Sequence, residues 1–174
     1  MQITRSIIIN APIEKVWRIT AHEFDQVDTW SSGVSMSDVA EVDQSADAAD
    51  MAGRVCLTAY GKCYEIFEAY DEQQHTFTYQ AQFEKQPPGV KTARNTWRLK
   101  AISDAQTRFT MTTQTELNLF PGLLMRIPMR LQIPRVLTMN LEEAKHYIET
   151  GNPHPRKVAA MQKAVQSVSG PSTI

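Results

Sequence analysis

The first seventeen residues change period halfway along. Ile7, Ile8 and Ile9 form an unbroken apolar run, Asn10-Ala11-Pro12 stops it, and Ile13, Val16 and Trp17 recur three and four residues apart. That switch predicts a strand over residues 2–10 and a helix over 12–19. Asn10 is expected to cap the helix, and Pro12 suits its first turn, where no backbone N–H is needed. A second helical piece over 23–29 brings Phe24, Val27 and Trp30 to one side, and Gly33 then turns the chain.

From there the period is two. A weakly alternating strand is expected over 34–42, an Ala/Asp/Ser loop over 43–53, and a hairpin of 54–60 with 62–70 around Gly61. Over 75–83, Phe77, Tyr79, Ala81 and Phe83 alternate with Thr76, Thr78, Gln80 and Gln82. Past the Pro87-Pro88-Gly89 turn, residues 90–101 put Ala93, Asn95, Trp97 and Leu99 on one face. Past a turn at 103–105, residues 108–117 do the same with Phe109, Met111, Thr113, Thr115 and Leu117. Six strands joined by short turns predict an antiparallel meander with one apolar face.

That face needs a cover. After an apolar and basic stretch punctuated by Pro128 and Pro134, a long helix is predicted over 134–150. Val136, Leu137, Met139, Leu141, Ala144, Tyr147 and Ile148 form its apolar stripe, Glu142, Glu143, Lys145 and Glu149 face water, and Gly151 ends it. The fold class is therefore α+β with a helix-grip arrangement. A curved antiparallel sheet wraps around a long C-terminal helix, and two short helices after the first strand plug one end. Trp17 and Trp30 are expected where strand, helix and cavity mouth meet.

Residues 1–151 make one domain and 152–174 an appendage. Within the appendage, 153–157 reads as a linker, and Val158, Met161, Val165 and Val168 stripe a short helix. So short a helix should dock on its own domain or on a second copy, giving a possible homodimer.

Composition narrows the function classes. A chain of 174 residues can bury roughly 70% of its unfolded surface, enough to fold without disulfide or metal. A net charge of -1 gives no basic face for nucleic acid. No apolar run is long enough for stable membrane insertion, and MQITRS lacks the pattern of a secretory signal, so the expected location is cytoplasmic. Cys56 and Cys63 flank the turn at Gly61 and are expected to be reduced and half-buried.

Candidate chemistry is sparse. His22, His75, His146 and His154 have no metal-ligand spacing. Asp43, Ser45 and Asp47 imitate the start of a calcium loop, but Ala48 stands where its glycine belongs and Arg54 where its glutamate belongs. Neither a nucleophile elbow nor a glycine-rich phosphate loop is present, so no metal and no cofactor are expected. Glu65 and Glu68 fall on opposite faces of their strand. The inward one is the best candidate for acid–base work, or else the partner of an arginine. In "LLMRIPMRLQIPR" a membrane-surface helix is weighed against a cavity lid with exposed arginines. The two prolines favour the lid.

Four stretches carry a resemblance. "INAPIEKVWRI", the Phe24, Val27 and Trp30 set, "YEIFEAYDEQQHTFTYQ" and "MNLEEAKHYIETG" are similar to the START-like, or SRPBCC, superfamily. That group includes polyketide cyclase/dehydrase-like proteins and the birch-pollen-allergen fold. The resemblance spans about residues 1–151 and implies a large cavity between sheet and last helix that takes hydrophobic molecules. By pattern alone the inward face could equally be a filled core, and the resemblance favours a pocket. Its expected lining is Tyr79, Phe83, Asn95, Trp97, Met111, Thr113 and Thr115, with Trp17, Trp30 and the adaptable Met139. The expected partner is a hydrophobic small molecule, carried or sensed. The alternatives are a cyclase/aromatase-like enzyme and a protein-interaction module.

Overall fold

Strand β1 (Gln2–Ile9) does not pair with the strand that follows it. It closes against the last strand of the sheet, β7 (Gln106–Leu117), with Ile3 opposite Thr113 and Ile9 opposite Thr107. This is a computed structural model, and it describes residues 1–42, 49–120 and 122–168. Between β1 and β7 lie β2 (Val34–Val39), β3 (Gly53–Thr58), β4 (Gly61–Asp71), β5 (Thr76–Phe83) and β6 (Val90–Ser103). All neighbours are antiparallel, in the order β1-β7-β6-β5-β4-β3-β2. The seven-stranded sheet and the long helix α2 (Gly122–Thr150) together form the expected helix-grip fold. The calcium-like Asp43, Ser45 and Asp47 lie outside the described residues.

The short segment after β1 differs in detail from its sequence pattern. Helix α1 covers only Ile13–Trp17, then passes into a π-helical turn at Arg18–His22 and a 3-10 segment at Phe24–Thr29. Asn10 does not cap α1. Pro12 occupies the cap position without a side-chain bond, and the Asn10 Oδ1 instead accepts from Gln106 Nε2 at 2.9 Å. The first-turn lysine and valine N–H groups are met by the Pro12 carbonyl at 3.1 and 3.2 Å, so a side-chain cap is dispensable.

The larger departure is in α2, which begins at Gly122 rather than Pro134 and runs through both Pro128 and Pro134. Each proline removes one i→i−4 bond, leaving the carbonyls of Leu124 and Arg130 without that donor. Both residues are exposed, so water can satisfy the freed oxygens and the helix continues. Leu137, Leu141, Ala144 and Ile148 form the buried stripe. Val136 and Met139 lie off it and are exposed. Gly151, at φ 72°, ends the helix as expected, its N–H reaching the Tyr147 carbonyl at 2.8 Å.

Glu143 does not face water as its polar neighbours suggested; it is fully buried. The Ser32 N–H and hydroxyl each donate to its carboxylate at 2.8 Å, and Arg156 Nε does so at 2.8 Å. Arg156 and the buried Lys157 belong to helix α3 (Pro155–Val168), which starts inside the stretch read as a linker. Lys157 Nζ donates to the Val34 carbonyl at 2.8 Å, tying α3 to β2. Val158, Met161 and Val165, three of the four residues of the expected docking stripe, are exposed.

Candidate functional site

The inward face of the sheet has two unlike halves. Cross-strand register stacks Phe77 on Trp97 and Trp97 on Met111, with Leu99 beside Phe109. Over this half sits Phe24, its ring centroid 4.7 Å from Phe67, 5.3 Å from Tyr79, 5.4 Å from Phe77 and 5.9 Å from Trp97. These residues are buried and fill the concavity with tilted and edge-on ring contacts.

Toward the start of β6 and the end of β7 the packing changes. Ala93, Asn95 and Thr113 point the same way as Tyr79 and Trp97, yet they are only half-buried. The Thr113 hydroxyl donates to Asn95 Oδ1 at 2.6 Å across the two strands. Farther along lies an open pocket of about 550 Å³ lined by Met1, Lys91, the β7 end from Thr115 through Glu116, Leu117, Asn118 and Leu119, and Arg126. Met1 is fixed to this end of β7: its ammonium donates to the Thr115 carbonyl at 2.6 Å, and the Thr115 N–H returns a bond at 2.8 Å. Lys91 lies 4.0 Å from Glu116, whereas Arg126, from α2, has no ion-pair partner among the described residues. The site thus combines leucine walls, a few backbone and hydroxyl groups, the Lys91–Glu116 pair, and in Arg126 a cation unpaired among the described residues. Small-molecule pockets have this general make-up.

Of the residues predicted to line a cavity, Thr115 is in this pocket wall, and Asn95 and Thr113 lie on the half-buried floor leading to it. Tyr79, Trp97 and Met111 point inward but belong to the packed aromatic half. Phe83 is half-buried opposite Cys63. Trp30 packs against Trp97 at 6.5 Å, and Trp17 against His75 at 5.2 Å and Tyr70 at 5.5 Å, at the far end from the pocket. Met139 is on the outer side of α2. Arg126 was missed as a wall residue because its role depends on α2 beginning ahead of both prolines, whereas Leu117 shares the inward parity of Thr113 and Thr115 and was within reach of the sequence.

Of the two acids weighed for chemistry, Glu65 is the inward one and is already engaged. Arg54, buried on the neighbouring strand, binds Glu65 Oε2 through Nε at 2.5 Å and also through Nη2. Its Nη1 donates to the Phe24 carbonyl at 2.7 Å, and the guanidinium lies 3.7 Å from the Phe24 ring centroid. Burial disfavours the Arg54 charge, but Glu65 beside it outweighs this and raises the guanidinium above its usual pKa. Burial, reinforced by Glu65, also keeps the Tyr79 hydroxyl well above its ordinary range. Glu68 faces outward and takes a bond from Arg94 at 2.7 Å. The partner of Glu65 was within reach of the sequence, since a hairpin about Gly61 sets Arg54 opposite Glu65. Gly53 allows this close approach: at φ 145°, a Cβ there would lie 2.1 Å from the Glu65 carbonyl oxygen. Cys56 and Cys63, in register across the same hairpin, are buried free thiols, both pushed up in pKa by burial. Among the described residues no three histidine, cysteine or acidic side chains converge as a metal site.

Comparison with known proteins agrees with this architecture. The family model described as polyketide cyclase/dehydrase and lipid transport matches residues 1–149. No curated protein matches the chain by sequence. Among solved structures, the Zhui aromatase/cyclase from Streptomyces sp. R1128 superposes with a TM-score of 0.68 at 11% identity, over 98% of this chain and 99% of that one. The protein XoxI from Bacillus cereus gives 0.66 at 15% identity, over 88% and 99%. A START superfamily protein from Mycobacterium smegmatis gives 0.60 at 9% identity, over 83% and 97%. At these identities the likeness concerns the fold.

Proposed function

This chain belongs to the polyketide cyclase/dehydrase and lipid transport family, and on that basis we propose that it binds a hydrophobic small molecule at the open half of its sheet. The observation that carries this reading is the division of the inward face. Inward side chains are fully packed around Phe24, but half-buried at Ala93, Asn95 and Thr113, next to the pocket walled by Thr115, Leu117, Leu119 and Arg126. An apolar guest there would cover leucine and threonine surface. Its polar end would meet Arg126 or the Asn95–Thr113 pair.

Carriage is favoured over catalysis by the state of Glu65. A general acid or base must be free to exchange a proton with substrate, and Glu65 is committed to Arg54 within hydrogen-bond distance. The cyclase-like alternative would need another group in the pocket to do that work.

The test is titration with an apolar fluorescent dye and with fatty acids of graded length, following dye emission and melting temperature. Saturable uptake is expected, and Thr113→Phe should weaken it about tenfold or more while the variant stays folded. In a solid interior the same change would force strain of roughly 1–3 kcal/mol. No uptake by the native protein, with Thr113→Phe strongly destabilised, would overturn the reading.

A further inference from the structure

The two halves of α2 are built with opposite polarity. From Ile133 onward, the stripe facing the sheet is Ile133, Leu137, Leu141, Ala144 and Ile148, at spacings of three and four. Extended toward the N-terminus, the same stripe continues as Arg130 and Arg126, and Arg126 reaches the pocket. In this first half, Leu124, Ile127 and Leu131 are three and four apart on the other side. With Leu119 and Phe120 just before the helix, they are 62% to 96% exposed. A water-soluble domain rarely leaves such a contiguous row of large apolar side chains uncovered without a partner.

The charges indicate which partner. Between residues 117 and 141 the chain carries Arg126, Arg130 and Arg135 and no aspartate or glutamate. At 100° per residue, Arg130 borders the Leu124/Ile127/Leu131 row on one side and Arg135 on the other. Both are exposed, and neither has an ion-pair partner among the described residues. An apolar row flanked by long cationic side chains suits the boundary between acyl chains and anionic headgroups, where arginine stems lie along the apolar layer and their ends reach phosphate. A symmetric pairing of two copies through this row would instead bring like charges together. The prolines that argued against a surface helix do not break it, so that objection falls away.

We propose that the face formed by Leu119, Phe120 and the first half of α2 docks reversibly on an anionic lipid surface. Leu119 belongs to both this face and the pocket wall, so docking brings the pocket mouth close to the bilayer. An apolar guest could then pass between membrane and protein with little exposure to water. The docking itself does not depend on the proposed cargo.

The experiment is flotation of the full chain with vesicles of phosphatidylcholine alone and of phosphatidylcholine with about a third phosphatidylglycerol, at low and high salt. Binding is expected only to the anionic vesicles and should fall as salt rises. Arg130→Glu with Arg135→Glu should weaken it about tenfold or more, and so should Ile127→Ser with Leu131→Ser. Circular dichroism and dye uptake, measured on the same variants, separate loss of docking from loss of fold or of cargo binding. Equal binding to both vesicle types, no binding to either, or indifference to both pairs of substitutions overturns the proposal. Concentration-dependent self-association abolished by the serine pair would do so too, because it would assign the face to a second copy.

Discussion

Glu143 on α2 and Arg156 on α3 form a carboxylate–guanidinium contact at 2.8 Å, the Glu143 side chain having no exposure, Arg156 being partly exposed, and Ser32 supplying further donors. The contact joins the long helix, the turn before β2 and the C-terminal helix at one point. Arg156 also reaches Glu142 at 2.8 Å, and the two carboxylates hold its pKa above the usual value despite the cost of burial.

Removing Arg156 therefore leaves a buried carboxylate that, among the described residues, has Ser32 alone to satisfy it. Arg156→Met should cost about 2–3 kcal/mol, toward the low end for a broken buried pair because the arginine is partly exposed. Adding Glu143→Gln should recover part of the loss. Urea unfolding of the two single variants and the double variant measures the coupling.

The same contact bears on where the domain ends. A chain stopped after Asn152 is proposed to keep its sheet and α2, because among the described residues no strand and none of the aromatic core lies beyond that point. It loses both Arg156 and Lys157, so its melting temperature should fall at least as far as that of Arg156→Met. Circular dichroism on the truncated chain checks both statements, and an unfolded spectrum would move the boundary past α3.

Phe24 is the hub of the packed half, with four rings within 6 Å and the Arg54 guanidinium on its face. Phe24→Ala should cost about 3–5 kcal/mol by opening a cavity that rigid neighbours cannot close. Denaturant unfolding followed by tryptophan emission reports it directly, since Trp97 is one of those neighbours.

Acid should loosen the junction between β1 and α2. Burial pushes the Glu149 carboxyl up, but Lys145 Nζ at 2.6 Å and the Asn10 N–H at 2.6 Å outweigh it and hold the pKa below the ordinary carboxylate value. With the folded pKa the lower of the two, the unfolded chain takes up the proton first as pH falls. The stabilisation is complete above the ordinary carboxylate pKa and disappears as pH drops through the folded one. Native protein should exceed Glu149→Gln in stability at neutral pH, and the gap should close in acid. Urea titrations at stepped pH values test the sign.

What the sequence determined by itself was whatever depends on local period. Alternation in β5 to β7 set the inward face, so Tyr79, Asn95, Trp97, Met111, Thr113 and Thr115 all point to the helix side as their parity requires. The change of period at Asn10 to Pro12 and the stop at Gly151 were legible for the same reason: turn and cap chemistry acts within a few residues. The interior of that face was decided by tertiary structure alone. Parity tells that Trp97 and Asn95 share a side. It does not tell that Phe24, dozens of residues away, fills the space above one and leaves the other half open. Glu143 looked like its solvated neighbours until Ser32 and Arg156 were brought to it from opposite ends of the chain. Pro128 and Pro134 predicted a break that does not occur, because an exposed helix can give its freed carbonyls to water. In each case the deciding partner is distant in sequence, or is the solvent, and local pattern carries no record of either.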